Sequence, residues 1–425
     1  MVHRPSQPPR DGPSTAVSES ASPPWTQPLT VAVTGLGITQ IIAWGTIYYS
    51  LTVVGPSITA DLGWEPHWTY AGFSFALLIA GFAAPITGRL IDRHGGRAIM
   101  SAGSIVAAAG LTLLAMSHSW VGYILAWAVP GVAKAMVLYE AAFATLVQMS
   151  VAKARRAITY LSFYGGLAST FFWPITWLLH NWAGWRATYL VYAGLALLVC
   201  LPIHLLALPS YRPNAAAHLP LQASLAGEPT PPYSAAFLSL AAALLATSFA
   251  MTAFMWSGIS VHLLSMLELL GFTAAASVAV GAAIGPSQVL GRVGDMVFGA
   301  KFHPLQVLRI SSTLLPIGFA VLFLGNGSTL AALAFAGLYG VSIGMNTIAR
   351  GAVPLALFGS SGFGARLGRL AAPSFVAEAL APIIYAFVIS AYGPWGGLAL
   401  AAGAAALAWV GVVILGRAHR REAAE

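Results

Sequence analysis

The chain has 425 residues, of which 58% are hydrophobic and only 8% charged, with a formal net charge of +8. A mean hydropathy of +0.78 excludes a water-soluble domain, because its apolar runs outlast ordinary core helices and match the roughly 30 Å hydrocarbon layer of a bilayer. The basic residues are scattered among short segments, which excludes a nucleic-acid face, and the single cysteine, Cys200, excludes an intramolecular disulfide or a cysteine-rich metal centre.

Hydrocarbon cannot satisfy backbone polar groups, so the spans must be helices or a closed barrel, and runs of about 20 apolar residues fit helices. The expected class is an all-α integral membrane protein of about twelve helices. In chain order, residues 1–28 are rich in Pro and Ser without the apolar core of a cleaved signal, and read as a disordered cytoplasmic tail. Helices are predicted near 29–56, 67–88, 98–117, 120–148, 158–180 and 186–208, forming a first six-helix bundle over 29–208. A proline-rich cytoplasmic linker, 209–235, separates it from a second bundle, 236–416, with helices near 236–264, 272–293, 304–325, 328–357, 371–392 and 395–416. Residues 417–425 read as a cytoplasmic tail.

Two stretches nearly repeat. Gly88-Arg89-Leu90-Ile91-Asp92 continues as Arg93-His94-Gly95-Gly96-Arg97, and Gly291-Arg292-Val293-Gly294-Asp295 follows the corresponding apolar run of the second bundle. Aligning the two gives an offset of 295 − 92 = 203 residues and pairs helix 2 with 8, 4 with 10 and 5 with 11. Asp92, at the inner end of helix 2, is expected to meet an arginine and the positive N-terminal end of a neighbour, helix 11; by the repeat, Asp295 should meet the start of helix 5. Arg93, Arg97 and Arg292 join the two aspartates as gating candidates. Basic residues crowd the inner segments (Lys153, Arg155, Arg156, Lys301, Arg366 and others), against Arg186 alone in the outer loops. That bias puts both termini in the cytoplasm of a multi-pass plasma membrane protein, here a bacterial inner membrane.

The stretch Gly88 to Arg97 resembles the loop between helices 2 and 3 of the major facilitator superfamily: Gly, three residues, Asp, a basic residue, any residue, Gly, then basic residues, with Gly96 standing where a basic residue is frequent. With two six-helix halves and a degenerate second copy, the resemblance extends from about residue 29 to the end. It implies alternating access, a loop that stabilises the outward-facing state, and a central cavity lined by helices 1, 4, 7 and 10. A finer resemblance to the monocarboxylate porter branch lies in Trp44-Gly45-Thr46-Ile47-Tyr48-Tyr49-Ser50, in Lys153-Ala154-Arg155-Arg156 and in Ser260-Val261-His262-Leu263, although the acidic residue of early helix 1 is missing.

Charge at bilayer depth costs at least ~2.5 kcal/mol per residue and so marks function. Four residues qualify: Lys134 and Glu140 in helix 4, Arg350 in helix 10 and Glu378 in helix 11. Six positions separate Lys134 from Glu140, about 120° of helix, so they are no local pair. Lys134 has Pro130 and Leu138 one turn away and reads as an unpaired cation that, with Arg350, would attract an organic anion. Glu140 and Arg350 face each other across the repeat and are expected to pair in one state and part in another, or else to form a static bridge; Glu140 is the leading proton-coupling carboxylate. Glu378, about ten residues into helix 11 as predicted, is the second, expected at modest depth beside Arg369 or Arg350. Gln40, Trp44 and Tyr48 share one face of helix 1 and offer a hydrogen bond and aromatic walls to a substrate; His262 in helix 7 is a minor candidate.

The expected function is proton-coupled secondary transport of a small, monocarboxylate-like anion by alternating access. Proton-antiport efflux of amphipathic drugs or metabolites is the alternative. The expected partners are the substrate, protons and the bilayer; no enzyme activity, cofactor, metal or nucleic acid is expected, and the chain is expected to be a monomer.

Overall fold

The computed structural model describes residues 27–210 and 233–423. Residues 1–26 of the expected 1–28 tail, 211–232 of the expected 209–235 linker, and with them Arg4, Arg10 and Arg212, lie outside the described residues. Ten continuous helices are long and apolar enough to cross a bilayer, and no strand occurs among the described residues. Two are far too long for one crossing. Val151–Ala207 has 57 residues and Phe363–Glu422 has 60, each over 80 Å if straight at about 1.5 Å per residue. Both fold back at a glycine with positive φ, Gly184 (φ 81°) and Gly393 (φ 70°), where a Cβ would be strained.

Twelve segments result. In the first half they are α1 (27–62), α2 (Pro66–His94), α3 (Gly96–Ala115), α4 (Trp120–Met149), α5 (151–183) and α6 (185–207). The second half has α7 (Ala235–Leu269), α8 (Ala274–Phe298), α9 (Pro304–Leu324), α10 (Thr329–Phe358), α11 (363–392) and α12 (394–422). Each overlaps a predicted helix. Several ends differ from expectation, α5 for one beginning at Val151 rather than at 158. The residues 417–422, read as tail, continue α12 as helix, and α11 begins at Phe363, after the left-handed Gly362 (φ 59°), rather than at 371. We call the end of the bundle that carries the α2–α3, α4–α5, α8–α9 and α10–α11 turns the near end, and the other the far end.

The two halves repeat their packing. A Cβ on Gly131 of α4 would meet the Ala76 carbonyl of α2, and one on Gly340 of α10 would meet the Ile284 carbonyl of α8; Gly110 lies on Pro130 as Gly318 lies on Leu338. These pairs are offset by 208 or 209 residues, which corrects the 203 read from the charged motif. The physical reason is length: α2 has 29 residues and α8 has 25, so the second copy has lost about one turn at its near end. Asp295 therefore sits about one turn deeper in its bundle than Asp92.

Several helices of the first half are irregular at mid-depth, α1 and α4 among them. In α1, Trp44–Tyr49 widens to a π-helical turn. In α4, Leu138 leaves the helix (φ −84°, ψ −163°), so one helix stops at Val137 and another restarts at Tyr139. The Val137 carbonyl released by this break accepts from Gln40 Nε2 at 2.6 Å. Gln40, expected on a substrate face, is fully buried and spends its amide N–H on that carbonyl, which would otherwise lie unsatisfied in a dry environment. At the near end the core around Leu29, Phe143 and Ile158 takes in Ile348, Phe363 and Leu367 of the second half, so the halves meet there.

Candidate transport site

Lys134 lies 14 residues into α4 and Glu378 15 residues into α11, each about 21 to 23 Å along its helix and thus near the middle of the span. This corrects the modest depth expected for Glu378, which came from starting its helix eight residues late. Their charged groups are 4.0 Å apart, with side-chain exposures of 3% and 8%. Glu378 Oε1 accepts from the Tyr48 hydroxyl at 2.7 Å, and its backbone carbonyl accepts from Ser257 Oγ at 2.9 Å. One glutamate thus joins α1, α4, α7 and α11.

Lys134 is consequently not an unpaired cation, and the partner of Glu378 is neither Arg369 nor Arg350. The pairing spans 244 positions between different halves, out of sight of any search one turn either side. Aromatic faces complete the shell: Lys134 Nζ is 4.1 Å from the Phe375 ring centroid and 5.6 Å from those of Trp44 and Tyr48. Tyr48 in turn touches Trp256 of α7, with centroids 5.5 Å apart. His262 bonds the Pro382 carbonyl at 3.0 Å and so ties α7 to α11 within one half.

Closer to the near end, Glu140 and Arg350 approach to 3.5 Å, with side-chain exposures of 16% and 30%. Glu140 is in the first turn of the restarted helix, where the exposed N–H dipoles favour a carboxylate. Tyr139, Phe143, Phe249 and Leu370 close around this pair, leaving a cavity of about 30 Å³, room for about one water.

Arg292 is the residue whose position sequence reasoning missed. Expected at the gate, it is only 4% exposed. Its guanidinium lies against Gly166 of α5, where a Cβ would collide with it, and reaches Gln288 Oε1 at 3.4 Å; Nε has no hydrogen-bond partner. No acidic side chain among the described residues comes within ion-pair distance. The hydroxyls of Tyr49 and Tyr139 are within its electrostatic reach. Tyr139 packs on Trp44 (centroids 5.3 Å apart), whose buried indole N–H is also without a partner. The signal that could have found this is the 208-residue register, which places Arg292 opposite Ala84, a residue 2% exposed.

The near end is closed by two different contacts. Asp92 Oδ1 and Oδ2 accept from the backbone amides of Gly364 and Ala365, at 2.9 and 2.8 Å, at the start of α11. Asp295 meets side chains of α5: Arg155 at 3.7 Å and the Thr159 hydroxyl at 3.4 Å. Arg155 also donates to the carbonyls of Gly299 and Phe302, at 2.7 and 2.8 Å. Arg97 bonds Ser210 at the start of the linker at 2.6 Å and Arg93 is exposed, so neither of these gating candidates is seen in a contact between the halves. The hydrogen bonds, ion pairs and ring contacts described above between the halves lie at mid-depth or nearer this end.

The sequence matches the family model described as Major Facilitator Superfamily over residues 36–303. The chain belongs to the Major Facilitator Superfamily. As a superfamily member it is a multi-pass membrane protein and a secondary transporter rather than an enzyme. The crystal structure of the human organic anion transporter MFSD10 (TETRAN) superposes with a TM-score of 0.66 at 17% identity, covering 92% of this chain and 100% of that one, a likeness of fold. Comparison with curated protein sequences finds no significant match.

Proposed function

We propose that this superfamily member carries small organic anions of the monocarboxylate kind, coupled to protons, by alternating access across a plasma membrane, the inner membrane of a bacterium. The observation that carries the reading is Arg292. A buried cation without a counter-ion costs several kcal/mol even after relaxation, and an anionic ligand would offset that cost. The pairs Lys134–Glu378 and Glu140–Arg350 cancel internally, leaving Arg292 as a buried charge with no counter-ion among the described residues, and the orphan Trp44 N–H supplies a donor for a carboxylate oxygen. MFSD10, named as an organic anion transporter, has the same fold and is consistent with that substrate class.

Glu140 and Glu378 are the ionisable groups at depth able to take a proton between the halves. Asp92 and Asp295 hold the near end shut in the state that opens to the far side. Lys153, Arg155, Arg156, Lys301, Arg366 and Arg369 at the near end, against Arg186 at the far end, make the near end cytoplasmic. The transporting unit in this reading is the monomer.

Uptake of radiolabelled lactate and pyruvate into proteoliposomes, with and without an inward proton gradient, tests the reading. Accumulation should require the gradient and be competed by other monocarboxylates; flux indifferent to both would count against it. A second reading, efflux of amphipathic compounds, is favoured by the aromatic wall of Trp44, Tyr48, Tyr49, Phe73 and Trp256. It predicts instead that a lipophilic cation is expelled from the same vesicles.

A further inference from the structure

On the membrane-facing side of the first half, α1 and α6 run side by side with a groove of about 490 Å³ between them. Thr30, Val31, Thr34 and Ile38 line it from α1, and Ile203 and Leu206 from α6. We infer that the groove binds one acyl chain of an anionic phospholipid in the near-end leaflet, whose phosphate is held by Arg97 at the groove's mouth. The site stands apart from the transport site and holds whatever the substrate is.

The walls dictate the kind of ligand. From Thr30 to Ile38 the groove runs about 12 Å along α1, starting within one turn of the near ends of α1 and α6, so it covers most of the roughly 15 Å of hydrocarbon in one leaflet. Its aliphatic side chains offer a polar solute nothing to bond, and a threonine hydroxyl can satisfy itself on the carbonyl one turn back in its own helix. An extended hydrocarbon chain fits such a wall.

The spacing of the walls is fixed by the fold. A Cβ on Gly35 would come within 2.7 Å of Ala207 Cβ and 3.0 Å of Ile203 Cγ2, so the glycine sets how closely α1 and α6 approach. On the buried side of α6 the His204 ring joins three helices, with Nε2 3.1 Å from Thr39 Oγ1 of α1 and Nδ1 2.9 Å from Ser104 Oγ of α3. Buried away from water, that bridge holds α1 and α6 in register behind the groove.

The mouth is cationic. Helix α6 ends at Ala207, and three residues later Ser210 Oγ accepts from Arg97 Nη1 at 2.6 Å. Three residues reach at most about 10 Å, which puts the guanidinium beside the opening at headgroup level. No acidic side chain among the described residues comes within ion-pair distance of Arg97, and a phosphate would replace its neutral bond to serine with a charge-assisted one. From the near end inward the site thus presents a cation and then an apolar channel, the order of a phosphate and its acyl chain. A zwitterionic headgroup carries its own cation, so a net anionic lipid gains more from the arginine.

The test places the full chain in phosphatidylcholine nanodiscs with a small fraction of phosphatidylglycerol that bears a photoreactive group on one acyl chain. Crosslinks should concentrate on residues 30–38 of α1 and 202–207 of α6, and unlabelled phosphatidylglycerol should compete with them where added phosphatidylcholine does not. Arg97→Gln should lower this labelling about fivefold, the worth of one arginine near an anionic headgroup, and raised salt should weaken the labelling of the wild type. Thr34→Trp, which projects a ring into the groove from an exposed position, should remove most of it. In detergent, phosphatidylglycerol should raise the Tm of the wild type and leave that of Thr34→Trp unmoved, which also reports that the variant is folded. Crosslinks spread evenly over the membrane-facing helices, equal competition by phosphatidylcholine, or labelling unchanged in either variant overturns the inference. Competition by a free fatty acid as strong as that by phosphatidylglycerol overturns the role given to the phosphate and Arg97.

Discussion

Asp92 and Asp295 stand at matching places in the repeated charged motif, yet Asp295 is about one helical turn deeper in its bundle. The difference follows from the shortening of α8 and changes the chemistry of the contact. Asp92 reaches the free amides at the start of α11, whereas Asp295 has sunk past the start of α5 and meets Arg155 and Thr159 on its flank.

The two aspartates should therefore differ in what they hold. A carboxylate on a helix N-terminus contributes about 0.3 to 2 kcal/mol, a twofold to thirtyfold bias toward the closed near end. Asp92→Asn should lose most of that. Asp295→Asn should lose less, because its contacts are 3.4 and 3.7 Å and Arg155 keeps its bonds to Gly299 and Phe302. Labelling rates of a cysteine introduced at the near end, in a Cys200→Ala background, measure both.

Two glycines give a second contrast. A Cβ on Gly88 would collide with the Gly364 carbonyl of the other half, and one on Gly131 with the Ala76 carbonyl of its own half. Backbone cannot move aside cheaply in either case. Gly131→Ala should lower Tm by several degrees, whereas Gly88→Ala should leave Tm within about 2 °C and hold the near end open, raising the same labelling rate.

How far the sequence carried the account varied with the range of the interaction. Helix number and the approach of Asp92 to helix 11 were legible, because hydropathy and a turn motif are local. The Glu140–Arg350 contact was also reachable, since the repeat places helices 4 and 10 opposite each other. The partner of Lys134 was not, because Glu378 belongs to the other half and its helix starts eight residues earlier than hydropathy suggests. Arg292 was misread for a related cause: the motif locates it by the end of α8, while the packing that buries it runs in the 208-residue register. Gln40 looked like a ligand because the break at Leu138, which leaves it a carbonyl to satisfy, has no helix-breaking residue to announce it.

The orphan indole N–H of Trp44 gives a third prediction. Trp44→Phe keeps a ring against Lys134 and Tyr139 but removes the donor. Affinity for lactate should fall about twofold to tenfold, the worth of one hydrogen bond, with no change in Tm beyond about 2 °C. Titration calorimetry and a melting curve separate this from a packing effect, which would lower both.

Acid should loosen the near end through His303. Its Nδ1 accepts the Leu305 amide at 3.3 Å, capping α9, and its ring centroid is 5.2 Å from that of His419. Burial first, then His419 and Arg155, hold its pKa below the ordinary value of 6.5. A histidine depressed in this way contributes stability that is complete above about 6.5 and is lost as pH falls through the lower folded value. His303→Asn, which retains a capping oxygen and cannot titrate, should show a smaller fall of Tm between pH 7.5 and 5 than the wild type. An equal fall would assign the acid sensitivity elsewhere.

The central claim is that the uncompensated charge of Arg292 anchors the transported anion. Lactate uptake into proteoliposomes under an inward proton gradient, wild type beside Arg292→Ala at matched protein incorporation, tests it most directly. The account predicts gradient-dependent accumulation by the wild type and at least a tenfold lower initial rate at subsaturating lactate in the variant, the loss of a charged hydrogen-bond partner. Equal rates in the two proteins would contradict it.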